Sequence, residues 1–425
     1  MPSTEFKASK DFAAALTAAD PLASFRQRFH IPQKPGGGES VYLCGHSLGL
    51  QPKSAREYVE QELQDWARLG VDGHLRAQNP WLAYHELLAK PLARLVGALP
   101  LEVVAMNSLT VNLHLMMVSF YRPTPERNKI LVEAGAFPSD QYAVKSQIQY
   151  HGYDPSASLL EIAPRPGETS LRTEDIEALI DSEGERIALV MLGGVNYYSG
   201  QAFEFSRITR AGHAKGCVVG FDVAHAAGNL RLQLHDWDVD FAVWCSYKYL
   251  NGGPGSIAGC FVHERHARDA KLPRFAGWWG HDKETRFRMG PDFHGIPGAE
   301  GWQLSNPSIL PAAVLRASLE LFDEAGMERL RAKSELLTGY LEFLLDQQRS
   351  ERFSIITPHD PTQRGAQLSL RIPKNGRAIC DKLAEQGVIC DWREPDIMRV
   401  APAPLYNSFS DVYAFAEKFA AALGA

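Results

Sequence analysis

Two rhythms of apolar residues alternate through the middle of the chain. Short, nearly continuous apolar runs at 129–133, 158–162, 187–192, 217–222 and 240–244 predict strands. Between them, apolar residues recur at helical spacing and predict helices from 110 to 121, from Phe137-Pro-Ser-Asp140 to about 150, over 173–180 and over 206–215. Strands apolar on both faces and separated by helices imply an α/β fold, a parallel or mixed sheet covered on both sides. Upstream, 41–44 predicts a short strand before the tight turn Gly45-His-Ser-Leu-Gly49. Residues 54–70 predict a helix through Tyr58, Val59, Leu63, Trp66 and Leu69 that ends on Gly70. A further helix is expected between 81 and 97, kinked or divided by Pro91. After Pro307 the rhythm changes. A helical region over 309–348, interrupted near Gly326, precedes strands at 353–357 and 366–372, a helix over 376–386, strands at 388–391 and 397–401, and a last helix from Ser410. The expected organisation is a large domain over 73–308, a smaller α+β domain over 309–425, and an N-terminal segment, 1–72, contributing to the small domain.

Composition narrows the function classes. The 425 residues are 45% apolar and 22% charged, with net charge −6 and no block of Lys or Arg, which argues against nucleic acid as a partner. No apolar run approaches the roughly 20 residues that cross a bilayer, and Met1-Pro-Ser-Thr-Glu-Phe lacks the pattern of a secretory leader, so no membrane association is expected. The cysteines at 44, 217, 245, 260, 380 and 390 are scattered without Cys-x-x-Cys spacing. Neither a metal site nor a disulfide framework is indicated, and a reducing, cytoplasmic location is expected.

In an open α/β sheet the ligand sits beyond the carboxyl ends of the strands. Lys248 follows the run ending at Trp244 and precedes the Gly/Pro cluster 252–255, a poor place for a solvated charge and a good one for an amine that attacks a carbonyl. Ser108 and Thr110 open a helix and offer amides and a hydroxyl to a phosphate, although N-capping by Ser108 alone is the simpler account. Phe137, stiffened by Pro138, could stack on a planar ring or sit in the core. Asp222 ends a strong strand ahead of His225; buried there it needs a cation, or else caps the next turn. Separately these signals are weak. Together, a phosphate cradle, an aromatic plate, an acid and a lysine on successive strand ends match the needs of pyridoxal 5′-phosphate.

Several stretches carry a resemblance to a known family: Leu109-Thr-Val-Asn-Leu-His114, Phe137-Pro-Ser-Asp140, Gly220-Phe-Asp-Val-Ala-His-Ala-Ala-Gly-Asn229, Trp244-Cys-Ser-Tyr-Lys-Tyr-Leu-Asn251, Gly277-Trp-Trp-Gly-His281, Ser305-Asn-Pro307 and Arg399-Val-Ala-Pro-Ala-Pro-Leu-Tyr-Asn407. Over nearly its whole length the chain resembles the kynureninases, fold type I pyridoxal-phosphate enzymes of the transferase-like class. The resemblance implies a homodimer with shared active sites, the N-terminal segment adding dimer contacts. It implies that Lys248 carries the cofactor, Asp222 pairs with its ring nitrogen, Asp140 and His225 lie close by, and Phe137 stacks on the ring. Leu109, Thr110, Pro138, Ser139 and Tyr247 would complete its contacts, with Trp278 and Asn306 contributed by the partner subunit, and Arg399 would grip the substrate carboxylate. Two positions depart from the family pattern. His46 stands where Asn is common, and Gly193 where a hydroxyl residue is common, which puts one cofactor contact in doubt.

The implied reaction is hydrolytic Cβ–Cγ cleavage of kynurenine or 3-hydroxykynurenine to the anthranilate and L-alanine, in tryptophan degradation or NAD biosynthesis. Lys248 would act as base and Tyr247 as proton shuttle. His74 with Ser305 and Asn306 resembles the animal-type enzymes, implying preference for the hydroxylated substrate. The alternatives are a cysteine desulfurase or aminotransferase of the same fold, or a binding protein without catalysis.

Overall fold

Seven strands build the main sheet of the computed structural model, which describes residues 5–269, 271–348 and 350–424. The first four residues, read above for a leader, lie outside the described residues. The strands are Val103–Ala105 (β1), Lys129–Glu133 (β2), Leu159–Ile162 (β3), Ile187–Gly193 (β4), Val218–Asp222 (β5), Phe241–Trp244 (β6) and Gly259–Val262 (β7). Their spatial order is β1-β7-β6-β5-β4-β2-β3. Only β7 runs against its neighbours; the rest are parallel. Strands β4 to β7 are buried along almost their whole length, which is why their sequences read as apolar runs rather than as alternating ones.

Register decides what meets at one end of this sheet. Gly193 lies opposite Asp222, and Asp222 opposite Val243, so β4, β5 and β6 finish level with one another. Glu133 closes β2 on the same side. The helix Leu109–Phe120 (α1) begins just beyond β1, and Pro138–Tyr150 (α2) begins just beyond β2. Pro138 occupies the first turn of α2, where its missing N–H costs no helical bond.

A second sheet forms from Ser354–Ile355 (β8), Leu368–Arg371 (β9), Asp391–Arg393 (β10) and Ile397–Val400 (β11), antiparallel in the order β10-β11-β9-β8. Leu337, Leu341, Leu368, Leu370, Met398, Val400, Phe415 and Phe419 fill its core, and Ala13, Val41 and Leu43 from the start of the chain join the same cluster. The two-residue strand Val41–Tyr42 pairs in parallel with Val388–Ile389. The N-terminal turn also reaches the other layer, where the Gly49 N–H donates to the Tyr247 carbonyl at 2.8 Å. A side chain at Gly49 would collide with the Lys248 carbonyl and Asn251.

Three local expectations are corrected. The strands β1, at one edge of the sheet, and β7, between β1 and β6, are not expected from the sequence pattern. Residues 388–391 do not form one strand, because the chain changes sheet at Cys390. Pro91 sits inside an unbroken helix, Glu86–Val96, whose division from 81–83 lies further upstream. The carbonyl it leaves without its helical partner is that of Leu87, a residue on the solvent side. No described helix is long and apolar enough to cross a membrane.

Candidate active site

A cavity of ≈ 130 Å³ opens beyond the carboxyl ends of β2, β4, β5 and β6, lined by Leu109, Thr110, Phe137, Ser139, Asp140, Asp222, His225, Tyr247 and Lys248. Glu133, Gly193, Val195, Tyr197 and Ala224 complete the lining. Most of the residues that sequence reasoning placed in one site therefore do meet in one place, brought together by register and by two helix starts.

The start of α1 is built to receive an anion. Ser108 is extended, but its side chain makes no capping bond, and the first helical bond runs from the Asn112 N–H to the Ser108 carbonyl at 3.0 Å. The amides before Asn112 thus have no partner inside the helix. Thr110 and Ser139 hold each other's hydroxyls at 2.9 Å, joining the first turns of α1 and α2. Phe137 is not a core residue. It is 43% exposed, its ring stands edge-on to Tyr197 at 5.2 Å, and the Lys248 amine lies 5.8 Å from its centroid.

The structure shows the turn-capping reading of Asp222 directly. Oδ1 accepts the Ala224 N–H at 2.7 Å, capping the turn, while the carboxyl as a whole faces the cavity and Asp140. Burial pushes both carboxyls up; Asp140 rises further, because the Asp222 charge adds to its burial, whereas the Lys248 charge and the Asp140 hydrogen bond hold Asp222 down. Of the two, Asp140 is therefore the carboxyl that holds a proton more readily. His225 is kept neutral, first by burial and then by the Lys248 charge. Burial, with Cys245 nearby, raises the Tyr247 phenol and keeps its proton in place.

Among the lining residues that escaped the sequence reading, two carry polar groups, Glu133 and Tyr197. Glu133 ends β2 as Asp222 ends β5, and a charged residue closing an apolar run was the available signal. Its Oε2 accepts the Gly193 N–H at 2.9 Å and its Oε1 the Asn196 amide at 3.3 Å. Burial pushes its carboxyl up to about 7, against these two bonds. A β-carbon at Gly193 would lie 3.0 Å from Oε1, so the departure at 193 leaves room that Glu133 faces. Tyr197 follows in the loop after β4, and nothing in its sequence context marked it.

Arg399 lies behind the cavity rather than in its lining. It is buried; Nε donates to Asp391 Oδ1 at 2.7 Å, Nη2 pairs with Asp391 Oδ2, and Nη1 donates to the Tyr197 carbonyl at 2.9 Å. His46, the other departure, is buried 3.3 Å from Asp391; burial and the Arg399 charge lower it to about 4. Pro138 opens α2 outside the lining. Trp278, Ser305, Asn306 and His74 are not in this cavity. Trp278 is 44% exposed against Phe287, Ser305 and Asn306 are exposed, and His74 packs edge-on to Trp81 at 5.6 Å.

The donor set fits pyridoxal 5′-phosphate. Asp140 Oδ1 and His225 Nδ1 are buried without a hydrogen-bond partner, the helix start offers free amides, and an amine stands across from a buried acid. With this sheet order and this cavity, the fold and site define a fold type I pyridoxal-phosphate enzyme. Two solved structures share the architecture: a cysteine desulfurase of Escherichia coli (TM-score 0.76, 19% identity, covering 95% of this chain and 98% of that one) and a cystine C–S lyase (0.76, 18%, 91% and 99%). At such identity the likeness concerns the fold alone. Sequence relatives are far nearer. Kynureninases of Koribacter versatilis (66% identical, 100% of both chains), Myxococcus xanthus (64%, 96% of both) and Flavobacterium psychrophilum (53%, 97% of both) match end to end. The family described as the kynureninase C-terminal domain matches residues 330–419. The chain belongs to the kynureninase family.

Proposed function

We propose that the cavity performs hydrolytic cleavage of the Cβ–Cγ bond of an aryl-keto amino acid, releasing an anthranilate and L-alanine. The observation that carries this reading is the convergence of Lys248, Tyr247, the Asp140–Asp222 pair and the free start of α1 on one cavity, in a chain of this family. Pyridoxal phosphate, when bound, supplies an electrophilic carbon for the substrate amine and an electron sink beside it. Asp222 holds positive charge at the ring nitrogen, with Asp140 keeping its proton on the carboxyl pair. The amides of α1, Thr110 and Ser139 bind the phosphate, and Phe137 covers a ring face. Lys248 takes the Cα proton as base. Tyr247, protonated at neutral pH, moves a proton at the ketone oxygen and then at Cβ. Arg399 grips the substrate α-carboxylate.

Residues 1–72 and 309–425 form, in this reading, one body against 73–308, and a second copy completes the site. Trp66, Val71, Leu75, Trp278, Phe287 and Met289 are apolar and exposed, and an apolar groove of ≈ 1100 Å³ borders the Lys248 loop through Asn251, Gly252 and Gly253; a partner subunit covering these surfaces brings its Trp278 and Asn306 to the cavity. His74, Ser305 and Asn306 then bond a phenolic hydroxyl, so that 3-hydroxykynurenine is preferred, a preference suited to NAD biosynthesis. A desulfurase needs an exposed, mobile cysteine. Here Cys44, Cys217, Cys245 and Cys260 are buried, and Cys380 is held in a helix. Purified protein loaded with pyridoxal phosphate is expected to release 3-hydroxyanthranilate and alanine in equal amounts. Binding of the cofactor without that product refutes the reaction, and a higher kcat/KM for unhydroxylated kynurenine refutes the preference.

A further inference from the structure

Glu133 lies in the cavity yet has no part in the reaction outlined above. It ends β2 buried, with a carboxyl that pairs with no cation among the described residues and makes two bonds, one to the last residue of β4 and one to the loop that follows. That loop is held from within by Asn196. Its Oδ1 accepts the Tyr198 N–H at 3.0 Å, the Ser199 N–H at 2.9 Å and the Ser199 hydroxyl at 3.1 Å. Its Nδ2 is the group that donates to Glu133. The amide therefore joins a turn on one side to a β-strand end on the other. The residue presented by this turn is Tyr197, whose ring packs against Phe137 and whose carbonyl receives Arg399 Nη1 at 2.9 Å and the Gln367 amide at 3.0 Å. Arg399 also bonds Asp391 through Nε and Nη2, so the Tyr197 carbonyl holds the Nη1 side that Asp391 does not. The remaining N–H groups of the five are those left for a substrate carboxylate.

We propose that Glu133 is a positioning residue for substrate binding: through Asn196 it fixes the Tyr197 carbonyl, and through that carbonyl the orientation of Arg399 toward the substrate carboxylate. The inference rests on the carboxylate-gripping role proposed for Arg399. It assigns Glu133 no contact with reacting atoms.

The pair offers a test in which donor and acceptor are exchanged. Glu133→Gln keeps an acceptor for the Gly193 N–H but turns an amide toward the Asn196 amide. Asn196→Asp keeps the acceptor for Tyr198 and Ser199 but turns a carboxylate toward Glu133. Each single variant breaks the link, and the double variant remakes it with the roles reversed. With the holoenzyme, each single variant is expected to raise KM and the dissociation constant of L-alanine roughly tenfold, with kcat changed less than about threefold, the loss of one buried hydrogen bond. Cofactor affinity of the apoprotein, read by fluorescence titration, should stay at the wild-type value. The double variant should recover most of the affinity. Singles with wild-type KM and alanine affinity, singles that lower kcat alone, or a double variant no better than the singles would each overturn the inference. Arg399→Lys separates the two claims. If it raises KM while the variants at 133 and 196 do not, only the positioning role falls; if it leaves KM unchanged, the carboxylate role falls and takes the positioning role with it.

Discussion

Asp222 and Asp240 are both buried acids beside β-strands of the main sheet, at its opposite ends. Asp240, just before β6, is surrounded: His213 Nε2 at 2.8 Å, His266 Nε2 at 2.6 Å, the Val219 N–H at 2.6 Å and the Arg265 guanidinium all bond its carboxylate. Burial alone would raise its pKa, but these partners outweigh it and hold the carboxyl far below the ordinary range. Asp222, just inside the end of β5, has a backbone N–H, a carboxyl neighbour and the Lys248 charge, and burial wins. One end of the sheet satisfies its charge and is finished. The other gathers Glu133, Asp140 and Asp222 around Lys248 and keeps polar atoms unpaired, which is a cost to the fold and a mark of a functional site.

Breaking each acid should break a different property. The largest effect is expected for Asp222→Asn, which removes the charge opposed to the cofactor ring: kcat should drop by roughly 10³-fold, with the unfolding midpoint of the apoprotein unchanged or raised. A variant that unfolds easily but keeps kcat would erase the distinction. Asp240→Asn should do the reverse, lowering stability in urea by about 3–5 kcal/mol because His213, His266 and Arg265 lose their counter-charge, while the folded fraction keeps wild-type kcat. The stability difference between wild type and Asp240→Asn should also depend on acid. A carboxyl depressed in the fold stabilises above its unfolded value of about 3.9 and loses that contribution as pH falls toward its folded value. The two unfolding curves should therefore converge below about pH 4, and a gap that stays constant would count against the pairing. The smallest effect concerns Glu133, raised to about 7 in the fold. Its ionisation costs nothing below the unfolded value of about 4.3 and its full amount above the folded one. Glu133→Gln does not titrate, so its stability relative to wild-type apoprotein should climb between those pH values, by at most about 1.4 kcal/mol per unit. A flat difference would show that Glu133 is not held in its acid form by the fold.

The same contrast explains what could be read from residues alone. β2, β4, β5 and β6 are apolar runs closed by a polar or charged residue or a turn, and their ends gave Asp222 and Lys248. The helix starts at 109 and 138 were legible because Ser108 and Pro138 mark them. β1 and β7 were not: β1 is only three residues long, and β7 lies beyond the Gly/Pro cluster 252–255, outside the alternation of strand and helix. Glu133 carried the same mark as Asp222 but lacked the neighbouring histidine that drew attention there. Arg399 was found through family likeness, and its bonds to Asp391 and Tyr197 depend on contacts between residues far apart in sequence. Trp278, Asn306 and His74 lie outside the cavity, and no local pattern in the sequence says so.

The parallel pairing of Val41–Tyr42 with Val388–Ile389 has a further consequence, for the order of events at the ribosome. The strands of the main sheet lie between these partners in sequence, so they emerge and can assemble first. At roughly 5–20 residues per second, the N-terminal helix Lys10–Ala19 waits on the order of a minute for the helix Phe409–Gly424 that it packs against. Phe6 and Phe12 first meet aromatic partners when Tyr340 and Phe343 emerge, and the remainder of their core arrives with the last helix. Synthesis thus leaves the first apolar segment of the chain among the last to be buried, and the nascent protein is open to chaperones, or to another copy of itself, at its N-terminus.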